Sequence, residues 1–119
     1  MSSVTEWVEE SQGRVLARRV QTAHRLGQRL RGLLGRHRLA RDEGLWLKPC
    51  RQVHTWFMRF AIDVVFLDAA LEVVAVCRNL RPWRLSPFHR RARSCLELAA
   101  GTAGWVRPGH RLRFTRKGS

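Results

Sequence analysis

Cys50 and His54 form a Cys-x3-His spacing, and Cys77, Cys95 and His110 are further donors that could complete a metal set. Zinc takes thiolate and imidazole at about 2.0–2.3 Å, so two ligands must bring their donor atoms within about 4 Å. Pro49 and the run Val53 to Phe57 favour extended chain, in which four residues span roughly 13 Å. No Cys-x2-Cys knuckle anchors a site. The expectation is no metal and no cofactor, with the thiols buried as small apolar groups. Cys50 and His54 could instead act as nucleophile and base, because a reactive thiol wants a nearby cation and Arg51 supplies one. No third group that would orient the base can be assigned, so no catalytic residue is named beyond these two candidates. Gly-rich phosphate loops, a Gly-x-Ser-x-Gly elbow and a His-Glu-x-x-His helix are all missing from the sequence, which disfavours the enzyme class.

Two charged groupings remain. Asp63 is an acid inside the apolar run Ile62 to Leu67, where an unpaired carboxylate is costly. Arg59 is the nearest base in sequence, and the expectation is a structural ion pair, Arg59 with Asp63; a ligand-facing pair is the alternative. The second grouping is a basic stretch interleaved with aromatics. Arg78, Arg81, Trp83, Arg84, Phe88, His89, Arg90, Arg91 and Arg93 fall within sixteen residues. Guanidinium groups contact phosphates, and Trp or Phe rings stack on unpaired bases at about 1–3 kcal/mol per base. The plain alternative is a solvated loop whose rings tuck against the fold.

The elements that must position these residues follow from periodicity. Val15 to Val20 reads as a first strand, and Thr22 to about Leu34 as a helix. Ala23, Leu26, Leu30, Leu33 and Leu34 make one apolar stripe. Thr22 can cap its start and Gly35 its end. From Leu45 the period becomes two. Leu45 to Lys48 and Val53 to Met58 read as strands, and Ile62 to Leu67 with Leu71 to Arg78 reads as a hairpin around Asp68-Ala69-Ala70. Both faces of Ile62 to Leu67 are largely apolar, which predicts an interior strand. Leu80 to Arg93, with Pro82 and Pro87, reads as a long loop, followed by strands at Ser94 to Leu98 and Leu112 to Thr115. The predicted class is α+β: a small, mostly antiparallel β barrel or sandwich with one N-terminal amphipathic helix. Residues 1–12, carrying Glu6, Glu9 and Glu10, read as a flexible acidic segment, and residues 13–119 as a single compact domain.

The chain has 119 residues, 23 of them basic and 9 acidic, for a formal charge of +14. All but two of the bases, Lys48 and Lys117, are Arg. A field of this sign attracts acidic proteins, anionic ligands and nucleic acid. The longest apolar runs, Val64 to Leu67 and Val73 to Cys77, are far short of the roughly 20 residues of a membrane span. The acidic first twelve residues are the reverse of a secretory signal, so a cytoplasmic protein with reduced cysteines is expected.

Phe57-Met58-Arg59-Phe60-Ala61-Ile62-Asp63-Val64-Val65-Phe66-Leu67-Asp68 resembles the central signature of an uncharacterised bacterial and archaeal family, domain of unknown function 192. Arg31 to Arg36, Asp42 to Trp46, Leu96 to Gly101 and Pro108 to Leu112 resemble its flanking segments in order, so the resemblance covers about residues 15 to 112. Ala61 and Ala99 stand where the family usually has Pro, and His110 where it has Asp. The resemblance implies a small antiparallel β domain with one packed helix, and it supplies no activity, cofactor or catalytic residue. The function expected is a non-enzymatic binding or adaptor domain whose Arg-rich surface takes an acidic protein or anionic ligand. Sequence-tolerant binding of single-stranded nucleic acid through residues 78–93 is the alternative, and a Cys50/His54 enzyme a further one.

Overall fold

Six consecutive apolar or shielded side chains, Ile62–Leu67, are all buried, and a strand buried on both faces has to lie inside its sheet. In the computed structural model, which describes residues 4–23 and 38–116, this segment is β4. The other strands are β1 (Val4–Glu9), β2 (Arg14–Ala23), β3 (Glu43–Leu47), β5 (Val73–Leu80), β6 (Ser94–Ala99) and β7 (Leu112–Arg116). They form one sheet in the order β5-β4-β6-β3-β2-β1-β7. Only β2 and β3 run parallel, with Val20 opposite Gly44 and Ala23 opposite Leu47.

The sheet is curled until its two ends meet. The Val73 amide donates to the His110 carbonyl at 2.7 Å, and the Leu112 amide to the Leu71 carbonyl at 2.9 Å. These bonds join the first residues of β5 and β7 across the open side. Trp7, Val20, Trp46, Val65, Leu67, Leu96, Leu98 and Leu112 fill the enclosed face. Ile62, Val64, Phe66 and Cys95 make the outer face, which Val53, Met58 and Ala92 cover from two loops.

Several expectations are corrected here. The described residues are all β and contain no helix. Thr22 and Ala23, the predicted helix start, are instead the end of β2, held by pairing to Trp46 and Leu47; the rest of the predicted helix lies outside the described residues. The acidic segment read as flexible contains β1, which lies between β2 and β7. Its buried positions are Thr5, Trp7 and Glu9, while Val4 and Val8 are half-buried, so two of the three inward side chains are polar and the strand does not announce itself. Val53 to Met58 is no strand: only a lone bridge, His54 to Leu85, pairs there. Finally, Cys50 and Cys95 are joined as a disulfide with Cα atoms 5.9 Å apart, in place of the reduced thiols expected. The residues are 45 apart in sequence, a proximity created by folding the loop after β3 over β6. No helix among the described residues is long and apolar enough to cross a membrane.

Candidate binding site

Two loops lie over the outer face of the sheet, residues 48–61 after β3 and residues 81–93 after β5. Thr55, fully buried, fastens one to the other. Its amide donates to the Arg84 carbonyl at 2.9 Å, and its carbonyl accepts from the Trp83 amide at 3.0 Å. Its hydroxyl donates to the Arg81 carbonyl and accepts from the Arg84 amide at 2.9 Å. Ser86 repeats the device one step along: its hydroxyl accepts from the Val53 amide at 2.9 Å, and its own amide donates to the Val53 carbonyl at 2.8 Å. Side-chain hydroxyls thus do here what a strand ladder does elsewhere.

This fastening turns aromatic rings outward. Phe57 and Trp83 both occupy the left-handed region, at φ 66° and 63°, which costs a bulky residue of order 1–3 kcal/mol and persists only where the surroundings impose it. Phe57 is 66% exposed and Trp83 53%, with ring centroids 4.7 Å apart. Trp56 lies 6.3 Å from Trp83 and stacks on His54 at 5.6 Å. Arg59, Arg81 and Arg84, all exposed, belong to the same loops. Neither loop contains an Asp or Glu. The result is an exposed aromatic cluster on two loops that carry exposed arginines and no acid.

The basic stretch read from sequence is divided by the structure into separate places. Arg81, Trp83 and Arg84 belong to the loops that carry this cluster. Phe88, Arg90 and Arg91 line an open groove of about 490 Å³ with Val74 and His89, where the His89 ring packs on Phe66 at 4.4 Å. Arg93 lines another groove with Pro49, Cys50 and Arg51. Arg78 is turned away, its guanidinium donating to the Val106 carbonyl. Trp56 and Phe57 were not singled out as site residues by sequence; a strand would have buried one of each adjacent pair, and only the positive φ at Phe57 lets both emerge.

The ion pair expected between Arg59 and Asp63 does not form among the described residues. Asp63 is buried and its carboxylate accepts three backbone amides: Asn79 at 2.8 Å, Gly101 at 3.0 Å and Ala103 at 2.9 Å. Main-chain donors satisfy the charge, so Arg59 is left to the solvent. Burial, and then the Asp63 charge, push the Cys77 thiol up from its ordinary range, which makes it a poor nucleophile. Cys50 is committed to its disulfide, which removes it from both the zinc set and the nucleophile–base pair with His54. Among the described residues, no three of His, Cys, Asp and Glu are grouped to hold a metal.

Comparison with known proteins gives a consistent picture. The family model DUF192, described as "Uncharacterized ACR", matches residues 7–114. A Pyrococcus horikoshii UPF0127 protein is 39% identical over 56 residues, 47% of this chain and 48% of the relative. The match therefore spans about half the length of that relative. A Novosphingobium aromaticivorans protein of unknown function has the same fold, with a TM-score of 0.79 at 22% identity over 93% of this chain and 84% of that one. A Sinorhizobium meliloti protein carrying the description "a putative transcription regulator" superposes with a TM-score of 0.73 at 25% identity, over 96% of this chain and 94% of that one.

Proposed function

We propose, from the premise that this chain belongs to the DUF192 (UPF0127) family, that it is a binding domain whose platform of Trp56, Phe57 and Trp83, rimmed by Arg59, Arg81 and Arg84, takes an acidic protein segment. The observation that carries this reading is the pair of left-handed aromatic residues held outward by Thr55. Backbone strain that leaves two large rings more than half exposed is of the kind that concentrates at ligand clamps. Aromatic and Arg side chains are also the residues that dominate binding energy at interfaces. The rings would pack on apolar side chains of the partner while the rim meets its carboxylates.

The test is a titration with an acidic peptide carrying one Leu or Phe, followed by Trp fluorescence. Trp83→Ala should weaken binding about tenfold or more, as removal of an interface anchor typically costs 2 kcal/mol or above, and leave the melting temperature unchanged. A platform indifferent to Trp83 would end this reading. A second reading has its own support. The exposed rings could equally stack on unpaired bases, and the Sinorhizobium neighbour's description concerns transcription. It requires oligo-dT to bind with an affinity that falls steeply with salt as counterions are released. Binding of oligo-dT in preference to the acidic peptide would replace the first reading with the second.

A further inference from the structure

The two sulfurs of the Cys50–Cys95 disulfide are unequally placed. Cys95 is fully buried on β6, opposite Leu47 and Phe66. Cys50, also mostly buried but with 7% of its surface exposed, lines an open groove of about 290 Å³ together with Pro49, Arg51 and Arg93. Both arginines are exposed, and both line the groove with Cys50. The Arg51 Nε donates to the Ala92 carbonyl at 3.1 Å, and the Arg93 carbonyl accepts from the Cys50 amide at 3.0 Å. No acid occurs between residues 44 and 62 or between residues 73 and 96, and among the described residues neither Arg51 nor Arg93 is in an ion pair, so the groove carries two unneutralised guanidinium groups.

We infer that this disulfide is an exchange site for an anionic low-molecular-weight thiol of the glutathione class, which attacks at Cys50. Displacement at sulfur runs along the S–S axis, from the side opposite the leaving atom. Cys95 is fully buried and does not line the groove, so a thiol entering there meets Cys50. The thiolate forms a bond to the Cys50 Sγ, and the electron pair of the Cys50–Cys95 bond passes to the Cys95 Sγ, which takes a proton. A second thiolate then attacks the small-molecule sulfur of the mixed disulfide and releases Cys50. Two thiols are oxidised to one disulfide, and the protein gains two electrons and two protons. The guanidinium groups of Arg51 and Arg93 draw in the carboxylates and thiolate of the incoming molecule. The reduced state also has a partner prepared for it, because the Cys50 Sγ lies 3.4 Å from the Gln52 carbonyl oxygen, to which a thiol donates. Resting on the binding role proposed above, reduction also frees the loop that carries Trp56 and Phe57 from its covalent anchor.

The experiment uses the Cys77→Ser protein, so that the remaining thiol cannot react, and compares glutathione with the neutral 2-mercaptoethanol at equal thiolate concentration. Acid-quenched samples are mapped by peptide mass. Glutathione bound to Cys50, with Cys95 as the free thiol, is the expected product. Arg93→Gln should slow the glutathione reaction several-fold and slow 2-mercaptoethanol, whose thiolate lacks carboxylates, distinctly less. Should that variant unfold, raising the ionic strength from about 0.02 to about 0.3 M, which shortens the Debye length below 10 Å, must slow glutathione more steeply than 2-mercaptoethanol. An adduct on Cys95, a Cys50–Cys95 disulfide that stays intact in excess glutathione, or equal slowing of both thiols would overturn the inference. None of these readouts involves a binding partner, so the platform can fail its own titration while the exchange site stands, and the reverse.

Discussion

A carboxylate with three main-chain amides around it behaves differently from one that faces an arginine. Asp63 ties Asn79 to the turn that carries Gly101 and Ala103, two places far apart in sequence, while Arg59 is exposed. Asp63→Asn would present one oxygen acceptor and a donor to groups that are all donors. Hydrogen bonds to charged groups are worth about 1.5–3 kcal/mol each, so a loss of about 3 kcal/mol or more is expected by urea denaturation. Arg59→Met should stay within about 0.5 kcal/mol of the parent, as exposed substitutions do. Equal losses for the two variants would restore the ion pair. The presence of a critical acid in this segment was legible, since an Asp in an apolar strand must find a partner. Its partner was not, because backbone amides carry no sequence signal. Glu9 supplies a pH prediction at the same scale. Burial works against its charged form, but the Ser11 amide and hydroxyl, the Gln12 amide and the charge of His110 outweigh that and hold its carboxyl below the ordinary 4.5. A depressed folded value means stabilisation that is complete above about 4.5 and is lost as pH falls through the lower folded value. Glu9→Gln should therefore flatten the acid limb of melting temperature against pH below about 4.5, and an unchanged limb would refute the assignment.

Among the elements, the loop pair depends on Thr55 as a sheet depends on its ladder. Thr55→Val keeps the shape and removes the hydroxyl, leaving the Arg84 amide and the Arg81 carbonyl without their side-chain partner. An unsatisfied buried group costs about 1–3 kcal/mol. The expected signature is local: Trp83 emission shifts and acrylamide quenching rises, with hydrogen exchange accelerating at residues 53–57 and 81–86. Uniform acceleration across the sheet would instead mark Thr55 as a general core residue. Elements of this kind explain which parts of the fold could be read in advance. β4 was legible to the residue because Ile, Val and Phe occupy both its faces, and β6 and β7 were read within a residue or two. Val53 to Met58 has the composition of a strand, but Thr55 and Ser86 offer hydroxyls that substitute for a neighbouring strand, and the chain turns. The platform was half legible: Trp83 stood out among arginines, while Trp56 and Phe57 were hidden by their strand-like context.

For the molecule as a whole, the segment that looked most dispensable lies in the middle of one wall. Trp7 is fully buried, its ring 4.9 Å from Trp46 and 5.0 Å from Phe114, so β1, β3 and β7 meet at one residue. Trp7→Ala should cost about 3–5 kcal/mol, a large share of the about 5–15 kcal/mol that holds a domain together; a drop of under 1 kcal/mol in chemical denaturation would show that the wall stands without it. The acids of residues 1–12 disguised this role, because charge was read as solvation while one of those acids, Glu9, is folded inward. The place of β1 also has a bearing on synthesis. β1 can form its hairpin with β2 as soon as both leave the ribosome, yet its other edge waits for β7, with Thr5 pairing Arg116 and Glu9 pairing Leu112. More than ninety residues of chain must emerge before that edge is covered, and contacts so distant in sequence form slowly. Throughout that interval the nascent protein carries an open strand edge, the kind of surface on which chains aggregate and to which chaperones attend.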